Sequence, residues 1–265
     1  MNSSDPRQET VFGPRWSRIH GGYFADPAVA APLVGQVLDV AARDRPDVLI
    51  DLGGGTGFLL SRLRAAGLPA GTNLLVLDDS PDQLALARAA GINGVQGSVD
   101  SFERSTVVPE GARGLFVMRS VLHYFGPAGL RPVLRHLRRQ IRPGEWFVHQ
   151  TASFQHRRDA DCLNELYRLM RSPKWYPDVA FLREGLEAEG WRVADLAPVP
   201  PLPLTSQDLA ERYHLTPGDL QRILERLPTD PAVPPSVFAK TPDAFCAHLH
   251  YHLFICHSGR GQTWG

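Results

Sequence analysis

Residues 48–57 read Val-Leu-Ile-Asp-Leu-Gly-Gly-Gly-Thr-Gly, and the helix-forming run Phe58-Leu-Leu-Ser-Arg-Leu-Arg-Ala-Ala follows at once. An apolar run that ends in an acid and a glycine-rich turn predicts strand, tight loop and helix in that order. Such a unit aims backbone N–H groups and a helix N-terminus at a ligand. Gly53, Gly55 and Gly57 let the backbone turn sharply and approach that ligand with no Cβ between.

Glycine spacing narrows the ligand. A dinucleotide fingerprint needs glycines at relative positions one, three and six, and counting from Gly53 the sixth position is Phe58. A P-loop needs Gly-Lys-Ser/Thr at its end, and no lysine follows Gly57. What remains is Asp51-x-Gly53-x-Gly55-x-Gly57. A second unit, Leu74-Leu-Val-Leu-Asp-Asp-Ser-Pro-Asp-Gln-Leu84, repeats the pattern of strand, acid and helix start. Asp78 falls about twenty residues beyond the loop, where a second strand delivers a carboxylate to a ribose hydroxyl pair. Ser80-Pro81 reads as cap and first helical residue. Asp79 is either a further ligand contact or a capping acid.

These segments resemble the class I S-adenosylmethionine (SAM) methyltransferases, with Asp51 to Gly57 matching the first motif and Asp78 the second-strand acid. Val95-Gln-Gly-Ser-Val-Asp100 resembles the third-strand segment beside the adenine. Gly97-Ser98 stands where Gly-Asp is frequent, so the adenine amino contact falls to Asp100 or to backbone, with Ser98 and Val99 among the cofactor-binding residues. Leu115 to Phe125 resembles the fourth strand and its exit, which brings Arg119 and Tyr124 to the same edge. Arg135–Arg142 and Pro143-Gly-Glu-Trp-Phe-Val-His-Gln150 resemble the following helix, turn and fifth strand. The resemblance spans about residues 45–151. It implies a doubly wound, Rossmann-like α/β fold with a mostly parallel seven-stranded sheet and an antiparallel last strand. It further implies bound SAM, S-adenosylhomocysteine as product, and transfer of a methyl group to a small molecule of secondary metabolism. A non-methylating, cyclase-like or regulatory role on the same fold is the alternative.

The rest of the chain is read around that unit. Residues 1–45 are expected as an N-terminal helical cap, loose to about residue 10 and then helical from Phe12 to Ala42 with a break at Gly21-Gly22. Residues 46–265 form the cofactor-binding domain. Trp191 to Leu196 predicts a sixth strand and Ala247 to Cys256 the last. The intervening segment, 200–244, is an inserted piece with helices over Ser206–Arg212 and Thr216–Leu227. So long a connection is a lid or a contact between copies, as the N-terminal helices also are.

Lys and Arg total 28, as do Asp and Glu. Without a basic excess, phosphate neutralisation cannot drive nucleic-acid binding. The arginines from 131 to 142 share a helix with Leu130, Val133, Leu134, Leu137 and Ile141 and read as its solvated face. Cys162, Cys246 and Cys256 form no paired framework, and the polar start and lack of a long apolar run predict a cytoplasmic setting away from membranes.

Several side chains are candidates for the chemistry. His123, leaving the fourth strand, is either a general base or a hydrogen-bonded helix cap. His149, near the end of the fifth strand, is a second candidate base. Tyr23 and Phe24 either close over the methyl group or pin the cap to the core. Trp175 and Tyr176 form an acceptor wall or a packed turn. His248, His250 and His252 share one strand face, but steps of about 7 Å spread them too far for one metal ion. No metal is therefore expected, and His250 is kept as a possible acceptor contact.

Overall fold

The computed structural model describes residues 19–227 and 230–259. The first part of the expected cap, from Phe12 through Trp16, lies outside them. A 3-10 segment, Ile19–Ala25, leads into helix α1, Pro27–Asp44. Its start follows from local chemistry: the Asp26 carboxylate accepts from the Ala28 N–H at 2.8 Å, and Pro27 occupies the first turn, where its missing donor costs nothing.

Five parallel strands follow: β1 (Val48–Leu52), β2 (Asn73–Asp78), β3 (Asn93–Gln96), β4 (Gly114–Arg119) and β5 (Trp146–Ala152). Helices α2 (Phe58–Ala65), α3 (Pro81–Ala89), α4 (Arg104–Val107) and α5 (Gly126–Gln140) connect them, and α6 (Arg157–Leu169) and α7 (Val179–Ala188) follow β5. Then come β6 (Trp191–Thr205), α8 (Ser206–Tyr213), α9 (Pro217–Arg226), β7 (Phe238–Lys240) and β8 (Phe245–Ser258). The sheet order is β3-β2-β1-β4-β5-β8-β6, with β7 also paired to β8. β8 runs antiparallel to β5, β6 and β7. Strand order reverses between β1 and β4, which makes their carboxyl ends the topological switch point where such sheets bind ligands.

Alternation sorts the strands into two apolar layers. Leu49, Val76, Leu115 and Val148 pack toward α1 and α2, while Ile50, Leu77, Phe116 and Phe147 pack toward α5 and α7. Every residue of β1 is buried, as a central parallel strand covered on both faces requires. On α5 the arginines do more than face water: Arg131 and Arg135 pair with Glu189 at the end of α7. Among the described residues no helix is long and apolar enough to cross a membrane.

Two features depart from expectation. β6 does not stop at Leu196 but continues through Pro198, Pro200, Pro201 and Pro203 to Thr205, so the connection before the last strand begins at α8 and not at residue 200. Prolines are tolerated because β6 is the outermost strand, where a missing N–H breaks few ladder bonds. Register shifts at Val193/Asp195 and Val199/Leu202 absorb the rest. The sheet also has eight strands and not seven. β8 is 14 residues long; its C-terminal part pairs with β5, and its N-terminal residues pair with the short β7.

Candidate functional site

A cleft of about 340 Å³ opens over the carboxyl ends of β1, β2 and β4. Its floor is the loop after β1. Gly53, Gly55 and Gly57 all have positive φ, at 69°, 54° and 75°, the region that favours glycine. The Gly53 N–H donates to the Leu77 carbonyl at 2.7 Å, which ties the loop to β2. A Cβ on Gly53 would lie 2.7 Å from Val121 Cγ2, and one on Gly54 2.5 Å from Asp51 Cγ. Gly54 was not singled out from the sequence; its need for a bare backbone comes from tertiary packing.

Asp78 closes the loop from the side. Its Oδ2 accepts from the Gly55 N–H at 2.9 Å and its Oδ1 from the Ser80 N–H at 3.0 Å. Each carboxylate oxygen keeps a second lone pair, and Asp78 lines the cleft. Burial raises its pKa despite those two bonds. Asp79 is exposed and also lines the cleft. It does not cap α3: Ser80 does, its Oγ accepting from the Gln83 N–H.

Asp51 is 2% exposed, and its Oδ1 has no partner among the described residues. Burial first, and then the Asp78 charge, push its carboxyl up to about 7, against the pull of Arg119. Gln83, on the buried face of α3, likewise presents an unpartnered Oε1 and lines the cleft. Sequence reasoning missed it; a glutamine on the inward face of a helix otherwise lined by Leu84 and Ala87 was the available signal.

Arg119 stands at the end of β4. Its Nη1 donates to the Phe24 carbonyl at 2.9 Å, and its guanidinium lies over the Phe24 and Phe58 rings at 5.7 and 5.8 Å. It therefore fastens the N-terminal segment across the cleft, with Nε unpartnered. Phe24, Ser98, Val99 and Tyr124 also line the cleft. Asp100 is exposed and does not line the cleft.

The other candidates separate. His123 does not line this cleft. It faces a second chamber of about 10 Å³ that shares Phe24, Ser120 and Tyr124 with it, and Tyr176 lines that chamber too. The His123 ring lies 4.2 Å from the Tyr124 ring, with Nδ1 unpartnered. Burial, then Lys174 and Arg212, hold its pKa well below the imidazole range, so the ring is neutral.

Tyr23 touches neither space. Its hydroxyl donates to the Pro200 carbonyl at 2.6 Å and its ring stacks on Tyr251, pinning the cap to β6. Burial pushes its phenol up to about 12, and it is no acid–base group. His149 is also ruled out as a base. β5 continues to Ala152, so His149 lies within the sheet, its Nδ1 2.7 Å from Thr151 Oγ1 and its ring between Phe147 and Phe254. Burial lowers its pKa to about 3.

Trp175 is a packed turn: its N–H donates to the His123 carbonyl and its ring meets Phe181 edge-on. His250 reaches the Ser236 carbonyl and stacks on Phe154, away from cleft and chamber. His252 turns to Ser153, so the histidine trio diverges.

Fold and cleft together define an α/β protein with a ligand site at its switch point, built from a glycine cradle, a bonded acid on the second strand and a buried acid on the first. Residues 50–149 match the family model described as a methyltransferase domain. No curated protein matches its sequence. Among solved structures it is similar to the YcgJ protein from Bacillus subtilis, at 14% identity over 87% of this chain and all of that one, with a TM-score of 0.67. It is similar to human N-acetylserotonin methyltransferase in complex with SAM, at 17% identity over 96% of this chain and 62% of that one, TM-score 0.53. The cyclase SpnF is similar at 18% identity, covering 88% and 82%, TM-score 0.54. At these identities the likeness is one of fold.

Proposed function

We propose that the protein transfers a methyl group from SAM to an oxygen or nitrogen, or an electron-rich aromatic carbon, of a small molecule. The observation that carries this reading is the Asp78 carboxylate, bonded to the Gly55 and Ser80 N–H groups beside a glycine cradle that a Cβ would fill. The unpartnered Asp51 Oδ1, Gln83 Oε1 and Arg119 Nε on the same cleft fit a ligand that brings both donors and acceptors, since buried polar atoms are otherwise satisfied.

In this reading Asp78 accepts from the ribose hydroxyls, as its free lone pairs allow. Gly53 to Gly55 cradle the amino-acid end, and Asp51 supplies a countercharge for its ammonium. Ser98 and Val99 flank the base. When bound, SAM supplies a methyl carbon already activated by a sulfonium, leaving S-adenosylhomocysteine.

The protein's remaining tasks are to position the acceptor, exclude water and accept a proton. Phe24, Tyr124 and the Arg119 clasp serve the first two. His123, which leaves the sheet and keeps Nδ1 unpartnered in the adjoining chamber, serves the third by its position, although burial with Lys174 and Arg212 nearby weakens it as a base. The balanced charge of the chain favours a small acceptor over nucleic acid. A second reading keeps the cofactor and omits methyl transfer; the shared fold with a cyclase motivates it. Incubation with methyl-labelled SAM and a panel of phenols, amines and carboxylic acids separates the two. Label in an acceptor product supports transfer; tight SAM binding with no S-adenosylhomocysteine formed across the panel supports the second reading.

A further inference from the structure

The chamber beyond Phe24, Ser120 and Tyr124 carries an unusual charge. Among the described residues two cations line it, Lys174 and Arg212, and no carboxylate does. Lys174 is buried, its Nζ donating to the Tyr213 hydroxyl at 3.1 Å and lying 4.9 Å from the Tyr124 ring centroid. Arg212 donates to His20 Nε2 and leaves Nε unpartnered. Among the described residues neither cation forms an ion pair; Arg212 is the charge that perturbs Lys174, and tyrosine phenols raise the Arg212 pKa against its burial. Burial, with Arg212 nearby, holds the Lys174 ammonium well below its ordinary range.

A buried charge is costly unless it is paired, and two like charges that share neutral phenol partners compound the cost. An anion that enters the chamber supplies the missing partner to both. Most of the remaining lining is aromatic, Tyr124 and Tyr176 among it, with Leu202 and Leu249 beside them, a surface suited to an apolar aromatic body. Tyr124 lines both spaces and is 41% exposed. At about 10 Å³ the chamber as it stands has room for about one water, so an acceptor enters only with movement of Tyr124, the side chain that lines both spaces.

Resting on the reading of the cleft as the SAM site, we propose that this chamber is the acceptor subsite and takes a small aromatic carboxylate, its carboxylate on Lys174 and Arg212 and its ring against Tyr124 and Tyr176. The reactive atom of such an acceptor then faces the cleft at Phe24 and Ser120, with His123 Nδ1 alongside.

The test is calorimetry on the full chain with salicylate, the neutral salicylamide and inorganic phosphate, with and without S-adenosylhomocysteine. Salicylate is expected to bind at least tenfold more tightly than salicylamide and phosphate. Lys174→Met and Arg212→Gln should each erase that preference while leaving the SAM Kd within twofold. Lys174→Met should also melt no lower than the parent, because it removes a cation without a partner. Equal binding of salicylate and salicylamide, phosphate bound in preference to both, or a preference that survives both substitutions overturns the proposal. So does a fall in Tm of more than 10 °C in Lys174→Met, which would mark the lysine as structural. If the parent binds salicylate as described but not SAM, the anion site stands and the cofactor reading fails.

Discussion

Replacing Asp51 with asparagine isolates the buried charge at the head of the site. In the unfolded chain this carboxyl ionises at its ordinary 3.8, and in the fold it is pushed up to about 7, mainly by burial and then by Asp78. A raised carboxyl pKa contributes stability that is complete below 3.8 and is lost as pH rises toward 7. At 1.36 kcal/mol per pH unit the full displacement is worth about 4 kcal/mol. The effective dielectric even at buried protein sites is well above that of a dry interior, so about 2 kcal/mol is the expected size. The buried imidazoles of His20 and His149, both lowered to about 3, act in the opposite direction. Their stabilisation is present above 6.5 and lost as pH falls toward 3, so the parent's own profile mixes the two signs. The difference between parent and Asp51→Asn removes the histidines. Urea denaturation of the ligand-free protein from pH 4 to 8 should show the variant gaining about 2 kcal/mol on the parent across that range, with the gain levelling above pH 7. With saturating SAM, whose cationic groups favour the carboxylate, the advantage should vanish. A difference independent of pH, or one that favours the parent at pH 8 without ligand, refutes the assignment of an unpaired buried carboxyl at this position.

Gly54→Ala should weaken SAM binding by at least tenfold in calorimetry and cost about 1–3 kcal/mol in stability, because its Cβ would lie 2.5 Å from Asp51 Cγ, a site that cannot yield without displacing a buried side chain. His123→Ala should lower kcat by about a hundredfold or more with an unchanged SAM Kd; an unchanged kcat would make the ring a packing element only. His149→Ala should instead lower stability by about 2–4 kcal/mol, with any remaining folded enzyme turning over normally. Tyr23→Phe, which strands the Pro200 carbonyl, should cost about 1 kcal/mol in chemical denaturation and leave the pH profile of turnover in place.

The cleft at the switch point was legible in the sequence because its parts are local. Each lies where a strand stops, and acids, glycines and a Ser-Pro cap mark those stops directly. The parallel order of β1 to β5 followed from the same punctuation. What the sequence concealed depends on position in the sheet. Proline reads as a strand breaker, yet β6 runs through four of them because it is outermost, and edge placement is a property of topology. His123 and His149 looked alike as residues near strand ends, but β4 ends at Arg119 and β5 carries on to Ala152. The first histidine therefore leaves the sheet and the second stays inside it. Lys174 and Arg212 gave no local signal at all. One lies in a loop after α6 and the other on α8, and only the packing of α8 beside the N-terminal segment brings them to one chamber. Gly54 has an ordinary φ, so its requirement shows only in its closeness to Asp51.

The most direct measurement is the calorimetric Kd for SAM of the parent and of Asp78→Ala, with NADH titrated in parallel. Micromolar binding of SAM, loss of about 2–3 kcal/mol or about thirty- to 150-fold in the variant, as removal of a charged hydrogen-bonding partner implies, and no heat with NADH are the results expected. Binding of NADH in place of SAM, or an Asp78→Ala variant with the parent's affinity, would contradict the account.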